Sequence, residues 1–135
     1  MAIMLVDIAG RLQTAGIGTI GAATGWSIRV AEVPDKPDTC ISVFEYAGSP
    51  SDISLDGARD VSPGLQVRVR GERNKYITAR EKAEAVALNL DGVGNTTING
   101  MVYKYIFANH QPAFAGLDEA QRPWFSQNFR VSKVP

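Results

Sequence analysis

The chain has 135 residues, a length typical of one folded domain. Hydrophobic residues make up 44% of the sequence, which is enough to build a buried core. Its 14 basic and 14 acidic side chains give a formal net charge of zero, so no overall field attracts nucleic acid or an anionic membrane. Zero net charge also removes the repulsion between copies, which favours self-association.

The rarest residue types exclude several kinds of site. The single cysteine, Cys40, and the single histidine, His110, rule out an internal disulfide and the Cys/His clusters of structural zinc sites. The apolar start at residues 2–6 ends at Asp7, far short of the roughly 20 residues that a membrane span needs. No basic segment of a secretory signal precedes it, so we expect a protein that is made and kept in a cytoplasm.

The first third of the chain predicts one helix and two strands. Residues 2–15 carry apolar side chains at helical spacing. Residues 16–21 read GIGTIG, formally a GxGxxG pattern. Alternating side chains predict a strand at residues 26–30, and a run of β-branched and aromatic residues predicts another at residues 39–46.

The middle of the chain predicts a long loop, a strand and a helix. Residues 47–64 are rich in Ser, Asp, Gly and Pro, and we expect a loop that becomes ordered against a partner during assembly. Residues 65–70 alternate apolar and polar side chains, as a half-buried strand does. Residues 75–90 predict the second helix, with Asn74 as its N-cap and Gly92 as its stop.

The last third predicts a hairpin, a strand, a polar connection and a final strand. Asn99-Gly100 is a strong signal for a two-residue hairpin turn. In the strand that follows, alternation places four side chains on one face: Met101, Tyr103, Tyr105 and Phe107. Residues 110–123 predict a polar connection, and residues 124–131 predict a strand. One face of that last strand carries Phe125, Phe129 and Val131.

This order of elements predicts one α+β domain over residues 1–135. We expect a largely antiparallel sheet with two main helices packed on it. A doubly wound fold would need strands and helices to alternate along the chain, and they do not.

The glycine pattern at residues 16–21 is the main argument for a small nucleotide-binding or enzymatic domain. A dinucleotide fingerprint follows a strand and opens a helix whose N-terminus faces the pyrophosphate. Here the preceding segment predicts a helix and the following segment predicts a strand. We therefore interpret the glycines as a connector that permits tight backbone turns, and keep nucleotide binding as the alternative.

No residue combination predicts catalysis, a cofactor or a metal. Cys40 stands in an apolar strand, where a cysteine is usually an inert core residue, and His110 is expected in an exposed loop. Serines and aspartates in the long loop lack a second histidine that would complete a hydrolase site. Asp56 and Asp60 are interpreted as solvated turn residues. The glycosylation sequon at Asn95 is interpreted as chance, because no secretory signal accompanies it.

Two neighbouring arginines form the sharpest local charge feature. Arg68 and Arg70 lie on the polar side of one predicted strand, as a solvated, salt-bridged face or as an interface. Arginine outnumbers lysine nine to five in the chain, and its planar fork suits ion pairs between proteins. We single out five candidate positions for a subunit or partner interface: Arg68, Arg70, Asp52, Asp56 and Arg59.

Three segments resemble the phage minor capsid and tail terminator family. They are residues 34–41 (PDKPDTCI) entering a strand, residues 66–71 (QVRVRG) before the second helix, and residues 118–131 (DEAQRPWFSQNFRV) at the end. The resemblance extends over about three-quarters of the chain, and the order and spacing of the segments carry it.

The resemblance implies a structural part of a siphophage neck. Tail terminators of this type form a hexameric ring that caps the tail tube, stops its growth and docks the head connector. The implied partners are copies of the chain, the tail tube protein and the connector protein, with DNA only passing through the lumen and no membrane. It implies no enzyme activity, cofactor or catalytic residue. The implied location is the virion, after assembly from the host cytoplasm.

Two alternatives to a tail terminator stay open from the sequence. Within the same class, the chain is a head-completion or connector-associated minor capsid protein. In another class, it is the small nucleotide-binding or enzymatic domain that would use residues 16–21.

Overall fold

The computed structural model describes residues 3–53 and 59–134, and of residues 49–53 and 59 it describes the backbone alone. Over these ranges the chain forms two helices and eight strands of one curled, mostly antiparallel sheet, which confirms the predicted α+β class. The helices are α1 (Met4–Thr14) and α2 (Tyr76–Leu90). The strands are β1 (Thr19–Ile20), β2 (Ser27–Val30), β3 (Cys40–Ile53), β4 (Arg59–Arg70), β5 (Val93–Ile98), β6 (Met101–Ala108), β7 (Ala113–Leu117) and β8 (Pro123–Val134).

The sheet is built around three long strands, β3, β4 and β8. Its order is β1-β2-β3-β4-β8-β6-β5, and β7 also pairs with β8. The pairs β1–β2 and β2–β3 are parallel, and the other pairs are antiparallel. β8 therefore pairs with β4 along one edge and with β7 and then β6 along the other.

Both helices cover the same face of the sheet. In the register of β3, β4 and β8, Ile41, Val69 and Phe125 lie side by side, and all three are buried. Successive side chains on a strand point to opposite faces, so the intervening residues face away from the helices. The buried helix residues join these strand residues in one hydrophobic cluster: Met4, Leu5, Ile8, Ala9, Leu12, Ala79, Ala83, Val86 and Leu90.

A buried carboxylate ties α1 to the β5–β6 hairpin. Asp7 is 1% exposed and accepts hydrogen bonds from the Asn99 side-chain amide at 2.8 Å and from the Tyr103 hydroxyl at 2.5 Å. Burial, together with the Asp7 carboxylate, raises the pKa of Tyr103, so its hydroxyl stays protonated and donates. Asn99 and Gly100 adopt φ angles of 50° and 80°, which confirms the predicted hairpin turn.

The prediction of a long loop at residues 47–64 is wrong for most of its length. β3 continues to Ile53 and β4 begins at Arg59, so the segment forms the outer part of a β-hairpin. Register shifts occur between Tyr46 and Asp52, and irregular pairing of this kind obscures the period-two pattern in the sequence. Residues 54–58 of the predicted loop lie outside the described residues.

The start of the second helix also differs from the prediction. Its N-cap is Lys75 rather than Asn74, and no side chain caps it. Asn74 has a φ of 64° and turns the chain before the helix begins. Gly92 has a φ of 88° and follows the helix end, as predicted.

A bulge in β6 overturns the predicted common face of that strand. The register with β8 shifts between Tyr103 and Tyr105, so the extra residue sends Tyr105 to the opposite face from Tyr103. Tyr103 and Ile106 are buried in the core, whereas the Tyr105 ring stacks on Phe107. The predicted polar connection at residues 110–123 likewise contains strand β7.

Both ends of the main sheet path are weak edges. β1 has two residues, and β5 contains Gly94 and a left-handed Asn95 with a φ of 43°. Such an edge presents an irregular row of backbone hydrogen-bonding groups.

We expect Tyr103→Phe to lower the free energy of unfolding by about 1–3 kcal/mol, because the buried Asp7 carboxylate loses one of its two hydrogen-bond donors. Urea unfolding at pH 7 measures the change. Tyr105→Phe is the matched control, since no hydrogen bond of its hydroxyl is found within the described residues, and we expect a change within about 0.5 kcal/mol. Equal stability of the two variants would contradict the role of Asp7.

Candidate assembly surface

The sheet face opposite the helices is polar, arginine-bearing and open in its centre. We call it the outer sheet face. Across β2, β3, β4 and β8 one row of this face runs Arg29, Ser42, Arg68 and Ser126, and the next row contains Phe44, Gln66 and Asn128. Further along the strands Tyr46 and Arg130 belong to it, and at the other end Trp124 does. No helix covers these side chains in the described part of the chain.

Arg68 lies at the centre of the outer sheet face. Its guanidinium carbon is 5.1 Å from the ring centroid of Phe44 and 5.2 Å from that of Trp124. Its Nε donates to the Gln66 side-chain oxygen at 3.1 Å, and Gln66 in turn donates to Asn128. The half-buried guanidinium is thus held between two aromatic rings, which stabilise the cation.

Arg70 is buried, and the expectation that it lies on a solvated charged face is wrong. Its guanidinium donates to the carbonyl oxygens of Asp38 at 2.9 Å, Pro34 at 2.6 Å and Pro37 at 2.9 Å. The segment of residues 34–38 folds over the end of the outer sheet face and buries the side chain to 6% exposure. Arg70 satisfies backbone acceptors of its own chain, and its place in an interface between chains remains only a proposal.

Arg122, directly before β8, also binds the segment of residues 34–38. Its Nε donates to Asp118 at 2.8 Å, and one terminal nitrogen donates to the Asp35 carbonyl oxygen at 2.5 Å and to the Asp38 carboxylate at 3.0 Å. Its side chain is 8% exposed. The sequence analysis missed this cluster, because Asp35 and Asp38 lie more than 80 positions before Arg122 in the chain. The spacing of four residues between Asp118 and Arg122 was the local sequence signal that could have revealed their ion pair.

Arg122 also sets the pKa of Asp118. Burial alone would raise this pKa, but hydrogen bonds from the Arg122 backbone and side chain, with the charge of its guanidinium, lower it overall. Asp118 accepts from the Arg122 backbone N–H at 2.9 Å and from the Ala120 N–H at 3.0 Å, so its carboxylate also closes the turn before β8.

Of the predicted interface residues that the structure describes, it brings Arg68 and Arg70 together, and both line one cleft. Arg68 is half-buried there, whereas Arg70 lies beneath residues 34–38. Asp52 pairs with Asp60 in the outer part of the β3–β4 hairpin, and Arg59 pairs there with Ile53. Nine strand positions separate Arg59 from Arg68, which corresponds to about 30 Å along β4. Asp56 lies outside the described residues.

Cys40 and His110 do not form a reactive pair. Cys40 is buried beside Ser42, and burial raises the pKa of its thiol, which disfavours a thiolate. His110 is exposed, and its ring nitrogens contact the Gln111 carbonyl oxygen and the Asn128 backbone N–H. Cys40 is thus buried and His110 exposed, as predicted, but Cys40 lines the cleft beside Arg68 rather than the core under the helices.

Gly16 and Gly18 connect the C-terminus of α1 to strand β1, and Gly21 follows that strand. A phosphate site needs the opposite arrangement, in which the glycines lead into a helix N-terminus. The Thr19 N–H donates to the Trp26 carbonyl oxygen at 2.9 Å. A Cβ at Gly18 would lie 2.9 Å from that oxygen, so close backbone approach accounts for this glycine. The geometry gives no support to the nucleotide-binding alternative.

Within residues 3–53 and 59–134, no group of three or more His, Cys, Asp or Glu side chains is placed to hold a metal ion. Neither α1 nor α2 has the length and apolar character that crossing a membrane requires.

We expect Arg122→Leu to lower the free energy of unfolding by about 2–3 kcal/mol at pH 7, because it removes a buried guanidinium with charged hydrogen bonds. The pKa of Asp118 is lowered in the folded state, so its contribution is full above the unfolded value of about 4 and is lost as pH falls through the folded value. The gap between wild type and variant should therefore narrow below about pH 4.

Urea unfolding at pH 7, 4 and 3 measures this gap. Arg73→Leu is the control, because Arg73 is exposed and has no ion pair in the described part of the chain. A gap that stayed constant with pH would show that the contact with Asp118 contributes nothing to stability.

Comparison with known proteins identifies the family. A family model described as "Bacteriophage tail terminator protein" matches residues 11–135. No curated protein sequence matches the chain. A solved chain from "Virion of native gene transfer agent (GTA) particle" is similar in fold, with a TM-score of 0.68 and 16% identity. The match covers 98% of this chain and 95% of that chain.

The likeness to the gene transfer agent chain, at its low identity, concerns the fold alone. The family model reaches from Arg11 to the end of the chain and includes all three segments that carried the sequence resemblance. This chain therefore belongs to the bacteriophage tail terminator family and is a structural protein of the phage particle.

Proposed function

We propose that copies of this chain form a hexameric ring that caps the finished tail tube, stops its growth and joins the tube to the head connector. The family match over residues 11–135 is the observation that carries the proposal. The absence of a catalytic pair or metal cluster among the described residues is compatible with a protein that acts by binding. The subunits pass from the host cytoplasm into the virion as the particle is built.

A ring of this kind stops growth by its shape. One ring face binds the surface that the last ring of the tube offers to a further tube subunit. The other ring face lacks the docking surface that a tube subunit needs, and binds the connector instead. The two ring faces must therefore differ, as they do in a ring whose subunits all point the same way.

An exposed aromatic patch is suited to one of these axial contacts. Tyr76 and Phe114 are 45% and 49% exposed, and their ring centroids lie 5.2 Å apart. Leu117 is 54% exposed and lines the same hollow as Tyr76. Clustered apolar side chains at a surface mark contact sites between proteins. We assign this patch, and the outer part of the β3–β4 hairpin, to contacts within the tail.

The lumen of the ring has to let DNA pass. Each copy has 14 basic and 14 acidic residues and so contributes no formal net charge. A strongly basic lumen would bind phosphates and slow the passage of DNA. A neutral subunit agrees with a channel through which DNA moves without being held.

We expect a phage that lacks this chain to make tails of abnormal, variable length that do not join to heads. Electron microscopy of lysates measures tail length, and expression of the wild-type chain in trans should restore one length. Tails of normal length beside heads that have lost their DNA would instead support the head-completion alternative. Normal, infectious particles would reject both.

A further inference from the structure

An outward-facing stripe on α2 combines apolar and acidic side chains. We call it the α2 stripe, and it consists of Ile77, Glu81, Glu84 and Leu88. Spacings of four, three and four residues place these side chains on one side of a helix. Ile77 is 67% exposed and Leu88 is 76% exposed, the highest values among large hydrophobic residues in the described ranges. An apolar residue thus lies at each end of the stripe, and two carboxylates lie between them.

One carboxylate of the α2 stripe is available to a partner. Glu84 forms an ion pair with Arg80 at 3.5 Å on the same helix. Glu81 is exposed and has no ion pair among the residues that the structure describes. An acidic side chain between two exposed apolar ones suits a partner surface that presents a cation between apolar or aromatic groups.

The outer sheet face presents a cation of this kind in a cleft. The cleft has a volume of about 260 Å³ and is lined by Val33, Cys40, Ser42, Arg68, Arg70 and Trp124. Asp118 is also in the lining, but its carboxylate is bound to Arg122. The terminal nitrogens of Arg68 make no hydrogen bond within the described residues, because only its Nε is used, by Gln66. A planar guanidinium held between two rings can receive a carboxylate through two parallel hydrogen bonds.

The two surfaces lie on opposite sides of the subunit. α2 packs on the core face of β4 and β8, with its stripe directed away from the sheet, whereas Arg68 is on the other face of β4. A contact that joins opposite sides of identical subunits is heterologous, and it repeats from copy to copy to give a ring when the rotation between copies closes. A contact between two equal patches would give only a two-fold dimer.

We propose that Glu81 of one copy enters the cleft at Arg68 of the next copy. Ile77, one helical turn from Glu81, then packs beside the aromatic side chains that flank the arginine, and Leu88 contacts the same sheet face about 10 Å further along the helix. The proposal deepens the proposed function and rests on it, because it assigns the contact between neighbouring subunits of the ring. Arginine and tryptophan at the centre of a partly desolvated pocket are typical energetic anchors of protein interfaces.

Charge reversal tests the pairing. Arg68→Glu and Glu81→Arg should each weaken self-association by about 100-fold, because each places like charges opposite one another. The chain that carries both changes should recover, since the two charges are exchanged. We would measure oligomers by sedimentation, and tail length in phage that lack the wild-type chain and receive each variant in trans. The second measurement works even for a ring that forms only on the tube.

The controls separate this contact from folding and from the proposed function. Glu72→Arg reverses an exposed charge that lies on neither surface, and it should behave as wild type. Glu81→Arg lies on an exposed helix face and should unfold at the same urea concentration as wild type, so its effect is not a loss of fold. The pairing would be wrong if each single charge reversal restored tail length as the wild-type chain does. It would also be wrong if the double variant failed as the single variants do. A wild-type chain without effect on tail length would instead reject the proposed function.

Discussion

Along β4, every second side chain from Leu65 to Val69 lies under the helices, so the residues between them face the opposite side of the sheet. This alternation continues into β3 and β8 through their registers with β4. It places the apolar residues in one core and brings Arg68 to a face that no helix covers in the described part of the chain. A slip of one residue would bury Arg68 and expose Val67 and Val69. The surface that we assign to assembly is therefore a product of core formation.

Arg68, Arg70 and Arg122 have different uses. Arg70 and Arg122 are buried, and their guanidinium groups bind oxygens of residues 34–38. Arg68 is held by aromatic rings and one amide, which leaves its outer nitrogens without an acceptor in the described residues. The same side-chain type thus fixes a loop in two positions and remains available for a partner in a third. The net charge of zero does not reveal these different uses, because it counts all charged side chains together.

The elements with regular periodicity could be predicted from the sequence. Helices α1 and α2, the Asn99-Gly100 turn and the buried face of β8 depend on local patterns, and the structure agrees with them. The β3–β4 hairpin and the face of β6 could not be predicted, because register shifts break the two-residue period. Which residues form the candidate assembly surface depends on contacts between segments that are far apart in the sequence. Nothing local distinguishes Arg68 from Arg70, and residues 34–38 cover only the second. Trp124 appeared as a strand residue, and only the register with β4 places it beside Arg68.

The short or irregular strands at the two ends of the sheet affect how free subunits can associate. Strand addition at an open edge would join copies into fibres of unlimited length, and a heterologous contact that fails to close does the same. β1 offers two residues to an incoming strand, and the left-handed Asn95 interrupts the edge of β5. Recruitment through strand edges is thereby discouraged, which leaves the faces of the subunit for the contacts between copies that we propose. The irregular edge of β5 thus disfavours open-ended fibres of this chain.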